Sequence, residues 1–144
     1  MPTKTPIGIV GATGYTGVEL VRLLSNHPNV EIKALTSRQY IDQAFSRVFP
    51  AFFGLCDLKC EELNVDTMAQ KIKVVFLCLP HHEAMETAAA FRKKDIIVID
   101  LSADFRIKDS ATYEKWYGPH SQKPLINEAV YGLPELHRTE IKQA

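Results

Sequence analysis

Short β-branched runs alternate along the chain with stretches whose apolar residues recur every three or four positions, the signature of an α/β domain. Ile7 to Val10 reads as a strand. Val18, Leu20, Val21, Leu23 and Leu24 then form the apolar face of a helix that ends at "SNHPN", where Pro28 prevents continuation. Val30 to Thr36 is the second strand. An irregular, aromatic-rich passage, "RVFPAFFGL", separates it from a short helix near Asp66 to Lys71. "KVVFLCLP" is almost wholly apolar, as a central strand buried on both faces must be. The Ala-rich segment from Glu83 to Lys94 closes on Arg92, Lys93 and Lys94, cations that suit a helix C-terminus, and "DIIVID" follows as the next buried strand. Beyond Leu101 the pattern loosens: "SATYEKWYG" reads as a short helix and "HSQKPLINEAVYGLPEL", with two prolines, as extended chain. The order of elements predicts a doubly wound, mostly parallel sheet in one domain over residues 1–144.

Composition narrows the function classes. At 144 residues and 46% hydrophobic content the chain can bury a real core. Seventeen basic residues balance seventeen acidic ones, so there is no charge footprint for nucleic acid or a lipid surface. The apolar runs are strand-sized, too short for a membrane span, and Met1 to Pro6 holds no signal-peptide core, so a cytoplasmic location is expected. Cys56, Cys60 and Cys78 are an odd number in such a chain and are expected as free thiols.

"IGIVGATGYTGVELVRLL" places Gly11, Gly14 and Gly17 between the first strand and the first helix. That order is what a dinucleotide pyrophosphate requires, because a tight turn brings backbone N–H groups and the positive end of a helix onto the phosphates. Gly11 lets the chain turn, Gly14 removes the Cβ that would block the pyrophosphate, and Gly17 lets the first helical turn pack closely. Gly11, Ala12, Thr13, Gly14, Tyr15, Thr16 and Gly17 are therefore the candidate cradle, with hydroxyls at Thr13 and Thr16, in a Rossmann-like fold. The spacing, G-x-x-G-x-x-G, departs from the dehydrogenase fingerprint G-x-G-x-x-G, and the alternative is that the glycines serve turn geometry alone.

The end of the second strand distinguishes NAD from NADP. An NAD enzyme places an acid about twenty residues after the last glycine, whereas Ser37 and Arg38 stand there. A hydroxyl and a guanidinium suit a 2′-phosphate, so NADP is the expected cofactor; the alternative is an ordinary exposed arginine. Leu79, Pro80 and His81 follow a predicted strand at its carboxyl end, where doubly wound sheets hold their ligand, and are read as cofactor lining or, otherwise, as a solvated loop. Cys78 lies in that apolar run and is expected to be inert. Cys56 and Cys60 lack the second ligand pair zinc needs. Phe49, Phe52 and Phe53 are read as packing residues.

"GATGYTGVELVRLL", "TSR", "VVFLCLPH", "VIDLSADFR" and "EAVYGLPEL" occur in the order seen in N-acetyl-gamma-glutamyl-phosphate reductases, and the chain resembles that family from Ile7 to Leu136. The resemblance implies NADPH-dependent reduction of N-acetyl-glutamyl phosphate to the semialdehyde, with release of phosphate, in arginine biosynthesis. It implies a cysteine thiolate that forms a thioester, a histidine that assists proton transfer, a small-molecule substrate and assembly as a homo-oligomer. It also suggests Ser102 on the nicotinamide side of the crevice. Asp104 and Arg106 either position the anionic substrate or the family's second domain, or form a structural ion pair. The family's nucleophile follows "YGLPEL" in a context such as P-G-C, and no residue here matches it. These 144 residues are accordingly expected to be the NADP-binding portion, inactive without the catalytic domain. Aspartate-semialdehyde dehydrogenase shares the glycine spacing and the thioester chemistry, and an NADP-sensing regulatory protein would need no nucleophile at all. Both remain as alternatives.

Overall fold

The computed structural model describes residues 3–144. Five strands, β1 (Thr5–Val10), β2 (Val30–Thr36), β3 (Cys60–Glu61), β4 (Val74–Leu77) and β5 (Ile97–Asp100), form one sheet in the order β3-β2-β1-β4-β5 with every pairing parallel. Ile7 on β1 lies between Ile32 and Val74. The chain runs outward from β1 to β3, then crosses back to the other side of β1 for β4. The point where the winding reverses therefore falls between β1 and β4.

Side-chain alternation on these strands builds two cores. Val10, Ala34, Val75 and Leu77 face one side and pack with Met68 of α3 (Val65–Ala69) and with Ala84, Ala88 and Phe91 of α4 (Glu83–Arg92). Ile9 and Leu35 face the other and pack with Val21 of α1 (Tyr15–Leu24), Phe45 of α2 (Phe45–Val48) and Phe52 of a 3₁₀ turn at Pro50–Phe52. Burial of apolar area on both faces, at about 25 cal/mol per Å², is what holds the layers to the sheet.

Several expectations change. The "DIIVID" strand is an edge, not a buried strand: Ile97 and Ile99 are 50% and 40% exposed, because only the face carrying Ile96 and Val98 is packed against α4. Leu23, predicted on the apolar face of α1, is exposed, since Val21 and its neighbours already fill the contact. The "RVFPAFFGL" passage is ordered by a cluster in which the rings of Phe49 and Phe52 each lie 5.0 Å from Phe45, while Phe53 points outward. "SATYEKWYG" is helical, as α5 (Ser110–Tyr117), with Asp109 as its cap. The segment predicted as extended folds into α6 (Lys123–Glu128) and α7 (Pro134–Ile141). Both of its prolines sit in the first helical turn, where the missing N–H costs nothing and the fixed φ favours the helix.

Candidate dinucleotide-binding site

The glycine turn connects β1 to α1 at the switch point. Gly11 has φ +78°, and a Cβ there would lie 2.5 Å from the Cys78 carbonyl oxygen, so conformation and space both exclude a side chain. At Gly17 a Cβ would lie 2.3 Å from the Gly11 carbonyl and 2.6 Å from Ala12 Cα; the helix packs onto the turn backbone itself. Gly14 is different. It has φ −77°, which any residue adopts, and the nearest atom to its Cβ position is the Gly11 carbonyl oxygen at 3.6 Å. Nothing inside the protein requires glycine here, and the space is open, as a cradle for a bound group must be.

The N–H groups divide in the same way. Those of Gly11 and Ala12 are committed to the end of β2, donating to Thr36 Oγ1 (3.2 Å) and the Thr36 carbonyl (2.9 Å). The α1 ladder begins with Val18 donating to the Gly14 carbonyl at 2.9 Å, so the N–H groups of Tyr15, Thr16 and Gly17 have no intrahelical acceptor. They point along the positive end of the helix dipole, where an anion is stabilised. Gly11 and Ala12 thus shape the cradle, and the first turn of α1 supplies its free donors.

Thr13 Oγ1 meets Ser37 Oγ at 2.8 Å, and Ser37 is buried and also accepts from the Tyr40 N–H at 3.2 Å. Arg38, 83% exposed, reaches across to Glu83 at the start of α4, with contacts of 2.7 and 3.4 Å. Thr16 and the Tyr15 side chain are exposed beside the turn. Leu79 is half-buried and Pro80 exposed, and the His81 ring packs 5.7 Å from Tyr117 and 5.2 Å from His82. A concavity of about 450 Å³ between Lys4, Leu24, Val30 and Leu58 lies at the amino ends of β1 and β2, the opposite end of the sheet from this constellation.

The loop after β5 holds a feature that sequence reasoning missed. Asp104 is fully buried and accepts from Tyr113 Oη (2.7 Å) and from the His82 N–H (2.9 and 3.1 Å to its two oxygens). Its own N–H donates to Ser102 Oγ at 3.1 Å, and Ser102 donates to Asp100 through N–H (2.9 Å) and hydroxyl (2.7 Å). The Asp104 carbonyl accepts from His120 Nε2 at 2.7 Å while His120 Nδ1 accepts from the Gln122 N–H, which places the proton on Nε2. His82 has φ +71°, and the Asp104 carboxylate holds it there. The Asp104–Arg106 ion pair open in the sequence does not form: Asp104 is committed to Tyr113 and His82, and Arg106 donates to the Leu101 carbonyl at 2.8 Å. Ser102 is buried with its hydroxyl engaged on both sides. No local spacing signals this hub, because the partners lie 9, 16 and 22 residues from Asp104.

Cys56 and Cys60 lie away from this chemistry, whereas Cys78 backs directly onto the glycine turn. Cys56 and Cys60 are buried beside Phe45 and Phe52, and burial raises both thiols. Cys78 falls one residue beyond β4, and desolvation pushes its thiol up to about 11. Burial likewise raises the Asp100 carboxyl, against the lowering effect of its bonds from Ser102.

A parallel sheet wound outward from β1, with an open glycine turn and three free N–H groups at its switch point, defines a Rossmann-like dinucleotide-binding domain. Residues 6–144 match the family "semialdehyde dehydrogenase, NAD binding domain", and the chain belongs to that family. It is 51% identical over 138 residues to an N-acetyl-gamma-glutamyl-phosphate reductase of Citrifermentans bemidjiense and 49% identical over 138 residues to that of Moorella thermoacetica. Those alignments cover 96% and 95% of this chain and 40% of each relative. It is 48% identical over 139 residues to a Nitrosopumilus maritimus protein assigned as a LysW-linked aminoadipate or glutamate phosphate reductase, covering 96% of this chain and 40% of that protein. The chain thus spans about 40% of the curated relatives it matches. Among solved structures, an aspartate semialdehyde dehydrogenase with NADP from Candida albicans superposes with a TM-score of 0.64 at 23% identity, covering 75% of this chain and 32% of that one. One from Vibrio cholerae superposes at 0.56 and 18%, covering 72% and 32%. These share the fold. No helix among the described residues is long and apolar enough to cross a membrane.

Proposed function

We propose that this chain is the NADP(H)-binding portion of an N-acetyl-gamma-glutamyl-phosphate reductase, which reduces N-acetyl-L-glutamyl 5-phosphate to the 5-semialdehyde with release of phosphate in arginine biosynthesis. The observation that carries the reading is about 50% identity to reductases of that name along 95–96% of the chain. The glycine turn and the end of β2 agree with it. The open space at Gly14 and the free N–H groups of Tyr15, Thr16 and Gly17 fit a pyrophosphate; Ser37 and Arg38, with no acid at the end of β2, fit a 2′-phosphate. Bound NADPH supplies a hydride at its nicotinamide ring. Leu79, Pro80 and His81 follow β4 at its carboxyl end, where that ring would lie, the Asp104 hub keeps the adjoining loop in shape, and the exposed Arg106 is the cation we assign to the anionic substrate.

None of the three cysteines here suits a nucleophile, which must be accessible and of lowered pKa. We place the acylated cysteine and the proton-transferring histidine in the remaining part of the parent protein, after "YGLPEL", and expect the 144 residues to bind cofactor without turnover. The experiment is an assay of the parent protein with N-acetyl-glutamate semialdehyde, phosphate and NADP, run beside aspartate semialdehyde. Activity with the first and loss on replacing one cysteine downstream of "YGLPEL" is expected. Turnover by residues 1–144 alone that vanishes when Cys56, Cys60 and Cys78 become serine refutes the placement of the nucleophile.

A second reading concerns the acyl group. The 48% identity to a protein named for a LysW-linked aminoadipate or glutamate phosphate supports a different acyl group nearly as well. Turnover of the free N-acetyl substrate separates the two.

A further inference from the structure

Arg38 and Glu83 lie at the exits of the two strands that flank β1: Arg38 follows β2, and Glu83 is the first residue of α4 after β4. Their side chains meet in a fork, with the two guanidinium nitrogens 2.7 and 3.4 Å from the two carboxylate oxygens. They are 45 residues apart in sequence, and the sheet order alone brings them together. The pair joins the loops on either side of the glycine turn. It also occupies the one cation at the end of β2 that could meet a ribose 2′-phosphate.

We propose that Glu83 is a specificity-determining residue that competes with the 2′-phosphate for Arg38, and so sets how strongly the site prefers NADPH to NADH. The proposal rests on the reading of Arg38 as the 2′-phosphate partner. A phosphate monoester carries close to two charges near pH 7 and three acceptor oxygens, so it outcompetes a single carboxylate for the guanidinium. A 2′-hydroxyl does not, and with NADH the Arg38–Glu83 pair stays closed. NADPH must therefore break the ion pair as it binds, and the Glu83 carboxylate is left near a dianion. Both effects weaken NADPH and leave NADH untouched. Because Arg38 is largely exposed, solvent screening keeps the pair weak and the competition modest.

The test is a titration of NADPH and NADH, by quenching of protein fluorescence at low ionic strength, into the wild type, Glu83→Gln, Arg38→Ala and the double variant. Glu83→Gln is expected to bind NADPH about two- to fivefold tighter, with NADH unchanged, in line with the value of an exposed ion pair. In the Arg38→Ala background the same change should have no effect on NADPH. Glu86→Gln, one helical turn further on, removes an equal charge outside the pair and should leave the NADPH/NADH ratio alone. Glu83→Asp keeps the helix-terminal charge with a shorter reach, so it serves if Glu83→Gln unfolds, and should shift NADPH the same way. An unchanged NADPH affinity, an equal gain for NADH, the same gain from Glu86→Gln, or a gain that persists without Arg38 overturns the competition. If Arg38→Ala weakens both cofactors equally, the 2′-phosphate reading itself has failed and the competition falls with it. A selective loss in Arg38→Ala with no gain in Glu83→Gln sinks the competition alone.

Discussion

Two glycines three residues apart should respond in opposite ways to the same substitution. At Gly14 the nearest atom to a new Cβ is 3.6 Å away and φ is −77°, so the Cβ of Gly14→Val meets no clash and the backbone no strain. The remaining costs and gains are a less favourable helix N-cap, about 0.5–1 kcal/mol, and a stiffer unfolded chain that offsets about 0.4–1 kcal/mol. The melting temperature should stay within about 4 °C of wild type. At Gly17 the Cβ would lie 2.3 Å from a carbonyl oxygen and 2.6 and 2.7 Å from the Ala12 backbone, which cannot rotate away. Overpacking of that kind costs about 1–3 kcal/mol or more, a drop of roughly 3–12 °C for a chain of this size. Binding should separate the other way. The γ-methyls of Gly14→Val fill the space over the free N–H groups of Tyr15, Thr16 and Gly17, and losing two charge-assisted hydrogen bonds at about 1.5–3 kcal/mol each weakens NADPH by at least about a hundredfold. Thermal melting by circular dichroism and a fluorescence titration read the two effects independently. Gly14→Val that melts normally and binds NADPH as wild type refutes the cradle. Gly14→Val that melts as low as Gly17→Val shows that the glycine is needed for folding and not for a ligand.

Other outcomes are expected from single contacts. Arg38→Ala should weaken NADPH about tenfold to a hundredfold and NADH little, as for the loss of a charge-assisted hydrogen bond; equal weakening in paired titrations would refute it. With its thiol near 11, Cys78 is about a thousandth ionised at pH 8, so a thiol reagent should modify it far more slowly in the native protein than after unfolding, as mass spectrometry of quenched samples would show. Tyr113→Phe removes one donor from Asp104 and should cost about 1–2 kcal/mol, whereas Asp104→Ala leaves the buried Tyr113 hydroxyl and the His82 N–H without acceptors and should cost about 2–5 kcal/mol by urea unfolding. The Asp100 carboxyl is raised on folding, so the native state holds its proton more tightly than the unfolded chain. Its contribution to stability is full below the unfolded value and is lost as pH rises through the folded one, so Asp100→Asn should flatten the fall in stability above pH 4; an unchanged pH slope would count against it.

Local patterns determined most of the architecture. The strand and helix periods of Ile7 to Val10, Val30 to Thr36, "KVVFLCLP" and Glu83 to Lys94, and the three glycines between β1 and α1, are statements about residues a few positions apart, and each element forms there, with β4 and α4 stopping short at Leu77 and Arg92. Where the sequence misled, the deciding contact was elsewhere. "DIIVID" is apolar enough for burial, yet whether β5 is interior or edge depends on what lies beside it in the sheet, which no period within the strand encodes. The prolines of "KPLINE" and "PELHRTEI" read as breakers until their place in the first helical turn is known. Tertiary structure alone decided the buried Asp104 hub and the Arg38–Glu83 pair, because hydrogen bonds and ion pairs act over about 3 Å whatever the sequence separation. Only the winding of a parallel sheet, which returns distant strand ends to one edge, brings those partners within reach.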